Sequence, residues 1–177
     1  PSTRTLIEKE AKRSKYVLCP EPAHQDNGVT TGRYAIARFH LTAAGKPSHA
    51  GARLEEGISA VRELAKRIVE IEEMTTNSLT FSCNNLASGQ WVNCVPSYAS
   101  ADCLSMAKTQ EDLDEGVERL LKMSGLRNGV NFQIKRGVTR PVWEPDLPGT
   151  LDLYEKARAI SEEIGLETVS YTHLRAH

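Results

Sequence analysis

Between residues 33 and 138 the spacing of apolar residues switches between two periods in a fixed order, and this constrains the fold more than any other feature of the chain. In "RYAIARFHLTAAG" (33–45), Ala35, Ala37, Phe39 and Leu41 fall on one side and Arg38, His40 and Thr42 on the other. That alternation is a half-buried strand. In "EEGISAVRELAKRIVEIEEM" (55–74), Ile58, Val61, Leu64, Ile68 and Ile71 form a helical stripe, and Glu55 and Glu56 suit the positive end of the helix dipole. "SLTFSCN" (78–84) alternates again, with Leu79, Phe81 and Cys83 inward. "CVPSYASADCLSMA" (94–107) reads as a third strand, with small Ala99 and Ala101 where a helix can lie close. "TQEDLDEGVERLLKMSG" (109–125) opens with a capping box, Thr109 and Asp112, buries Leu113, Val117, Leu120 and Leu121, and stops at Gly125. "NGVNFQIKRG" (128–137) closes the block as a strand, with Val130, Phe132 and Ile134 inward. The order β-α-β-β-α-β predicts an α+β, ferredoxin-like domain with both helices on one face.

The flanks do not complete a second domain. "STRTLIEKEAKRSK" (2–15) predicts a short amphipathic helix with Leu6, Ile7 and Ala11 on its apolar side and Ser2 or Thr3 as cap. "YVLCPEP" (16–22) predicts a buried strand ended by two prolines. "TRPVWEPDLPG" (139–149) is a proline-rich linker, and "TLDLYEKARAISEEIG" (150–165) a helix capped by Thr150 and stopped by Gly165. The expected division is 1–32, a fragment of a larger domain; 33–138, a complete small domain; 139–168, linker and helix; and 169–177, "VSYTHLRAH", a non-native tail to be left out of the fold.

Composition narrows the class of function. A net charge of -1 gives no electrostatic reason for a nucleic-acid or anionic-membrane partner. The β-α-β-β-α-β order is shared with RNA-binding sheets, but no aromatic pair stands on the middle strands to stack bases. No apolar run approaches the roughly 20 residues of a membrane-spanning helix. Cys19, Cys83, Cys94 and Cys103 show neither a CxxC pair nor finger-like spacing with histidine, which suits reduced, mostly buried thiols in a cytoplasmic protein.

"YVLCPEP", "GRYAIARFHLTAAGKPSHAG", "EEGISAVRELA", "GQWVNCVP" and the Arg140-Pro141 pair stand in an order and spacing that resembles one family. It is that of the zinc-dependent exopeptidases and deacylases, which includes glutamate carboxypeptidases, acetylornithine deacetylases and succinyl-diaminopimelate desuccinylases. The resemblance runs from residue 1 to about residue 165, and its most specific parts are Gly45-Lys46-x-x-His49-Ala50-Gly51 and Gly89-x-x-x-Asn93-x-Val95-Pro96. It implies a di-zinc hydrolase in which residues 33–138 are the lid that dimerises, flanked by fragments of an α/β catalytic domain.

Residue by residue, the resemblance makes Glu21 a zinc ligand. It makes His49 a catalytic donor, often acting on the neighbouring subunit's site, to a scissile carbonyl oxygen as that oxygen becomes anionic. Asn93 and Arg140 become substrate-binding residues, an amide that can donate and accept and a fork for a carboxylate. Met106 stands where many relatives carry an arginine, which removes one carboxylate anchor. His40, on the polar side of the first strand, is a candidate for a subunit contact; His24, His173 and His177 match no motif.

Nothing in the chain matches the family's His-x-Asp, bridging Asp or Glu-Glu ligands. The expected parent is therefore a metallo-carboxypeptidase or amidohydrolase, with zinc, cobalt or manganese, acting on peptides or N-acyl amino acids. This segment supplies a homodimerising lid and one zinc ligand and is itself inactive. The alternative is a non-catalytic dimerisation module.

Overall fold

The computed structural model describes residues 2–20 and 27–173. They fall into two compact units, one formed by 1–33 with 144–177 and the other by Tyr34–Trp143.

The second unit carries the ferredoxin-like plan. Its elements are β2 (Ala35–Ala44), α2 (Ala60–Glu72), β3 (Leu79–Ser88), β4 (Tyr98–Ala107), α3 (Gln110–Leu121), β5 (Gly125–Arg127) and β6 (Val130–Arg140). The sheet order is β3-β4-β2-β6-β5, antiparallel throughout, so β2 is central and paired along both edges. Helices α2 and α3 both pack against β2, β3, β4 and β6. Between helices and sheet lies the core: Ala35, Ala37, Phe39, Leu41 and Ala43 of β2, Ala99, Ala101 and Cys103 of β4, Leu113, Val117 and Leu120 of α3, and Phe132 of β6. Small residues on β2 and β4 let the helices approach closely, and Gly116 of α3 does the same from the other side. A Cβ there would lie 2.7 Å from Leu79 Cδ2.

The helix ends follow local chemistry. Ser59 caps α2 by accepting the Arg62 N–H. Thr109 caps α3 by accepting the Asp112 N–H at 3.1 Å while its hydroxyl donates to the Asp112 carboxylate. Glu55 and Glu56 lie in a 3-10 turn, Leu54–Glu56, before α2 and not in its first turn. Helix α3 ends at Leu121, and Gly125 opens a strand too short to read from sequence, β5. Asn128 and Gly129, both at positive φ, turn β5 back into β6.

The apolar stripe of α2 is rotated from its expected position. Val61 is exposed, whereas Glu63 and Arg67 are buried at 3% and 8% exposure. Arg67 Nε lies 3.2 Å from Glu63 Oε1, and the guanidinium stacks over the Phe132 ring at 5.2 Å. Asn128 Nδ2 donates to Glu63 Oε2 at 3.0 Å, and Arg127 bridges Glu63 and Glu70. Arg127 holds the Glu70 carboxyl below its ordinary range by hydrogen bonding. An ion network thus fastens α2 to the β5–β6 turn.

In the other unit, α1 (Ser2–Arg13), β1 (Val29–Arg33), α4 (Pro148–Glu163) and β7 (Ser170–His173) are present. Helix α1 begins at Ser2, which places Thr3 inside it, and α4 starts at Pro148, two residues before the expected Thr150 cap. Gly165 does terminate the chain direction of α4, at φ 76°. Residues 16–20 form no strand. Val17 and Leu18 are exposed, because an apolar run becomes a strand only when another strand pairs with it. Ser170–His173, in the segment set aside as a tail, pairs in parallel with Val29–Arg33. None of the described residues of α4 is buried.

Glu63→Ala removes the buried carboxylate of the network and leaves buried Arg67 only the half-buried Glu70, at 3.3 Å, so it is expected to cost about 3 kcal/mol. Val61→Ala, two residues away but exposed, is expected to cost less than about 0.5 kcal/mol. Urea unfolding of the two variants checks this; equal losses would contradict the rotated face.

Candidate functional site

The segment from Gly45 to Ile58 is a closed loop. At its neck Lys46 N–H donates to Ile58 O at 2.9 Å and Ile58 N–H to Lys46 O at 2.8 Å. The neck explains Gly45: a Cβ there would sit 2.1 Å from the Ile58 carbonyl oxygen. Gly57 is crowded by side chains instead, since its Cβ would meet Ser48 Oγ at 2.3 Å and Val95 Cγ2 at 2.9 Å.

A second loop, joining β3 to β4, is zipped to the first. Ala50 N–H donates to Asn93 O at 2.8 Å, and Val95 N–H donates to Ser48 O at 2.9 Å. Between these bonds His49 and Cys94 face each other as an antiparallel pair. This is the closely spaced kind of pair, with side chains side by side.

His49 is fixed by its own backbone. Its Nδ1 accepts the N–H groups of Gly51 at 3.1 Å and Ala52 at 3.0 Å. A ring nitrogen that accepts two N–H bonds uses its lone pair, so the neutral ring carries its proton on Nε2. The outer nitrogen of an exposed ring is therefore a donor. Asn93 is exposed beside it, and the turn that carries it ends in two solvent-facing apolar residues, Trp91 and Val92. Cys94, Trp91 and Val92 were not expected from sequence; the only signal was an apolar Trp-Val pair inside a glycine-led turn.

Arg140 is not part of this cluster. It lies at the end of β6, opposite Ile36, whereas the His49 loop leaves β2 after Ala44. Eight residues of strand separate the two ends, roughly 26 Å at ~3.3 Å per residue. Met106 is also opposite Ile36, at the Arg140 end. Glu21 lies outside the described residues.

His40 stands on the open face of the sheet. Its Nδ1 is 2.9 Å from Asp102 Oδ1, and Asn85, at positive φ in a β-bulge, donates to Asp102 Oδ2 at 2.9 Å. These bonds, His40 first, hold the Asp102 carboxyl below its ordinary range. Of the four cysteines only Cys103 is buried; Cys19 and Cys94 are exposed and Cys83 is half-buried, so the expectation of mostly buried thiols does not hold. Among the described residues, no three His, Cys, Asp or Glu side chains stand close enough together to hold a metal ion. No helix among them is long and apolar enough to cross a membrane.

A lid-like β-α-β-β-α-β unit with a glycine-necked histidine loop defines a class, and comparison with known proteins agrees. Residues 31–126 match the peptidase dimerisation domain, and the chain belongs to that peptidase family. It is 31% identical over 169 residues to carboxypeptidase G2 of Pseudomonas sp. (strain RS-16), covering 92% of this chain and 40% of that protein. The fold is also that of aminopeptidase PepT from Bacillus cereus, with a TM-score of 0.77 at 18% identity over 97% of this chain and 48% of the other. The aminobenzoyl-glutamate utilization protein from Klebsiella pneumoniae follows at 0.65 and 16% identity, over 89% and 42%. The chain thus spans less than half the length of these relatives.

The tautomer can be read directly. Nitrogen-15 NMR of the chain at a pH where His49 is neutral should show an unprotonated Nδ1 and a protonated Nε2. A proton on Nδ1 would mean that the loop bonds do not form.

Proposed function

We propose that the parent of this chain is a metal-dependent hydrolase of peptide or N-acyl amino acid amide bonds, and that this segment supplies its dimerising lid. The observation that supports it best is the pair of bonds to His49 Nδ1, which leaves the Nε2–H as a donor on a loop that cannot easily rearrange.

In this reading His49 Nε2–H donates to the carbonyl oxygen of the scissile amide. As the carbonyl carbon becomes tetrahedral, that oxygen gains negative charge and the bond strengthens, which is what lowers a barrier. Asn93, tied to the same loop, holds a neighbouring polar group of the substrate, and Arg140 forks onto a substrate carboxylate. Zinc, or cobalt or manganese, belongs to this proposal through the family resemblance, with Glu21 as a ligand. The described residues offer no set to hold the metal, and the roles given to His49, Asn93 and Arg140 do not depend on it. A cytoplasmic location is proposed on the cysteine usage of the sequence alone.

The distance between His49 and Arg140 supports action between subunits. One lid cannot bring both ends of β2 to one small substrate. A two-fold dimer can place His49 of one subunit beside the Arg140 end of the other. Strand β3 lies at one edge of the sheet over all ten of its residues and is the edge proposed to pair.

A second reading, that the segment acts only as a dimerisation module, is favoured by the description of the matched domain itself. The two separate cleanly. In the full-length protein, His49→Ala is expected to lower kcat about 100-fold or more while leaving metal content and the sedimenting dimer unchanged. Activity surviving within a few-fold would reduce His49 to a loop residue and leave the module reading.

A further inference from the structure

Cys83 of β3 and Cys103 of β4 are direct cross-strand partners. Their pairing type follows from the ladder. Lys108 N–H donates to Ser78 O, so 78 and 108 form a hydrogen-bonded pair. Pairs alternate along an antiparallel ladder, and five steps on, 83 and 103 form a non-hydrogen-bonded one. Cys83 N–H agrees: it points away from β4 and donates to Glu72 Oε1 at 2.8 Å. In such pairs the Cα atoms are about 4.5 Å apart and the side chains project to the same face. That spacing lies at the short end of the range a disulfide accepts.

The two sulfurs also sense each other. Hydrogen bonding between them, aided by burial, holds the Cys83 thiol well above its ordinary pKa, and the same bond draws Cys103 down. Glu72, the charged group packed over the pair from α2, opposes a thiolate on either sulfur. Cys83 is half-buried, within reach of a small oxidant, and Cys103 beside it is buried.

We propose that Cys83 and Cys103 are a dithiol pair that closes to a cross-strand disulfide under hydrogen peroxide and reopens under a small thiol. One sulfur loses its proton and attacks the peroxide oxygen; the O–O bond breaks, hydroxide leaves and takes up a proton, and a sulfenic acid remains. The other sulfur attacks it, the S–S bond forms, and a second water leaves with the remaining thiol proton. The pair is oxidised by two electrons and the peroxide reduced by two. Two exchanges with a small thiol reverse the step and release that thiol as its own disulfide. Short spacing makes the bond one that such thiols reduce readily. Its effect is to tie the sheet's long edge strand to its neighbour.

The test uses the 177-residue chain with Cys19→Ser and Cys94→Ser, treated with hydrogen peroxide. Intact mass should fall by two hydrogens. Cleavage on the amino side of Asp102 should leave Cys83 and Cys103 peptides joined until a reductant is added. The ratio of disulfide to singly oxygenated chain should be at least about tenfold higher in the folded chain than in urea, because the ladder holds the second sulfur beside the sulfenic acid. Cys83→Ser should abolish the loss while circular dichroism shows the fold retained. A folded double variant that only gains oxygen, or one whose share of disulfide is no higher than in urea, would overturn the proposal.

Discussion

Strand β2 is paired on both edges, along all of β4 and, past one irregularity at Arg38, along β6, and everything else in the lid is placed by it. Its five inward residues, Ala35, Ala37, Phe39, Leu41 and Ala43, are all buried. Alternation on a twice-paired strand permits one register only, since a slip of one residue would turn Phe39 and Leu41 to water and His40 to the core. That register fixes which end of the strand delivers the histidine loop and which end meets Arg140. It also sets His40 against Asp102.

The loop is built by exclusion of side chains as much as by bonding. At Gly45 and Gly57 any side chain would overlap backbone or Ser48. The neck brings Lys46 and Ile58 together, and the zipper to Asn93 and Cys94 adds a second anchor. With both ends of the loop held, the His49 ring is oriented by its own Gly51 and Ala52 amides. A donor fixed before substrate arrives costs little reorganisation during the reaction, which is the property electrostatic stabilisation requires.

The strands and helices of the lid were legible because each keeps one period for long enough to be counted, and Thr109 announced its helix as the N-cap that accepts the Asp112 N–H. What was not legible depended on partners distant in sequence. Glu63 and Arg67 lie off the apolar stripe counted from the sequence; Glu63 is matched in the fold by Arg67 of its own helix and by Arg127 and Asn128 from the β5–β6 turn. Residues 16–20 read as strand because apolar content was visible and the absence of a pairing strand among the described residues was not. The histidine loop was found through resemblance; its zipper joins residues about forty apart, and neither half shows the bond alone. The separation of His49 from Arg140 needed the register of β2 with β6.

That separation is the centre of the account, and subunit complementation measures it most directly. Full-length His49→Ala and full-length Arg140→Ala would each be purified, shown to be dimeric and nearly inactive, then mixed and allowed to exchange subunits. If His49 serves the partner's site and Arg140 its own, a mixed dimer holds one site with both residues intact. Activity should then rise toward about a quarter of wild type, since half the dimers are mixed and each has one of two sites working. Activity that stays at the level of the parent variants after subunit exchange is verified would contradict the account, because both residues would then serve the same subunit's site.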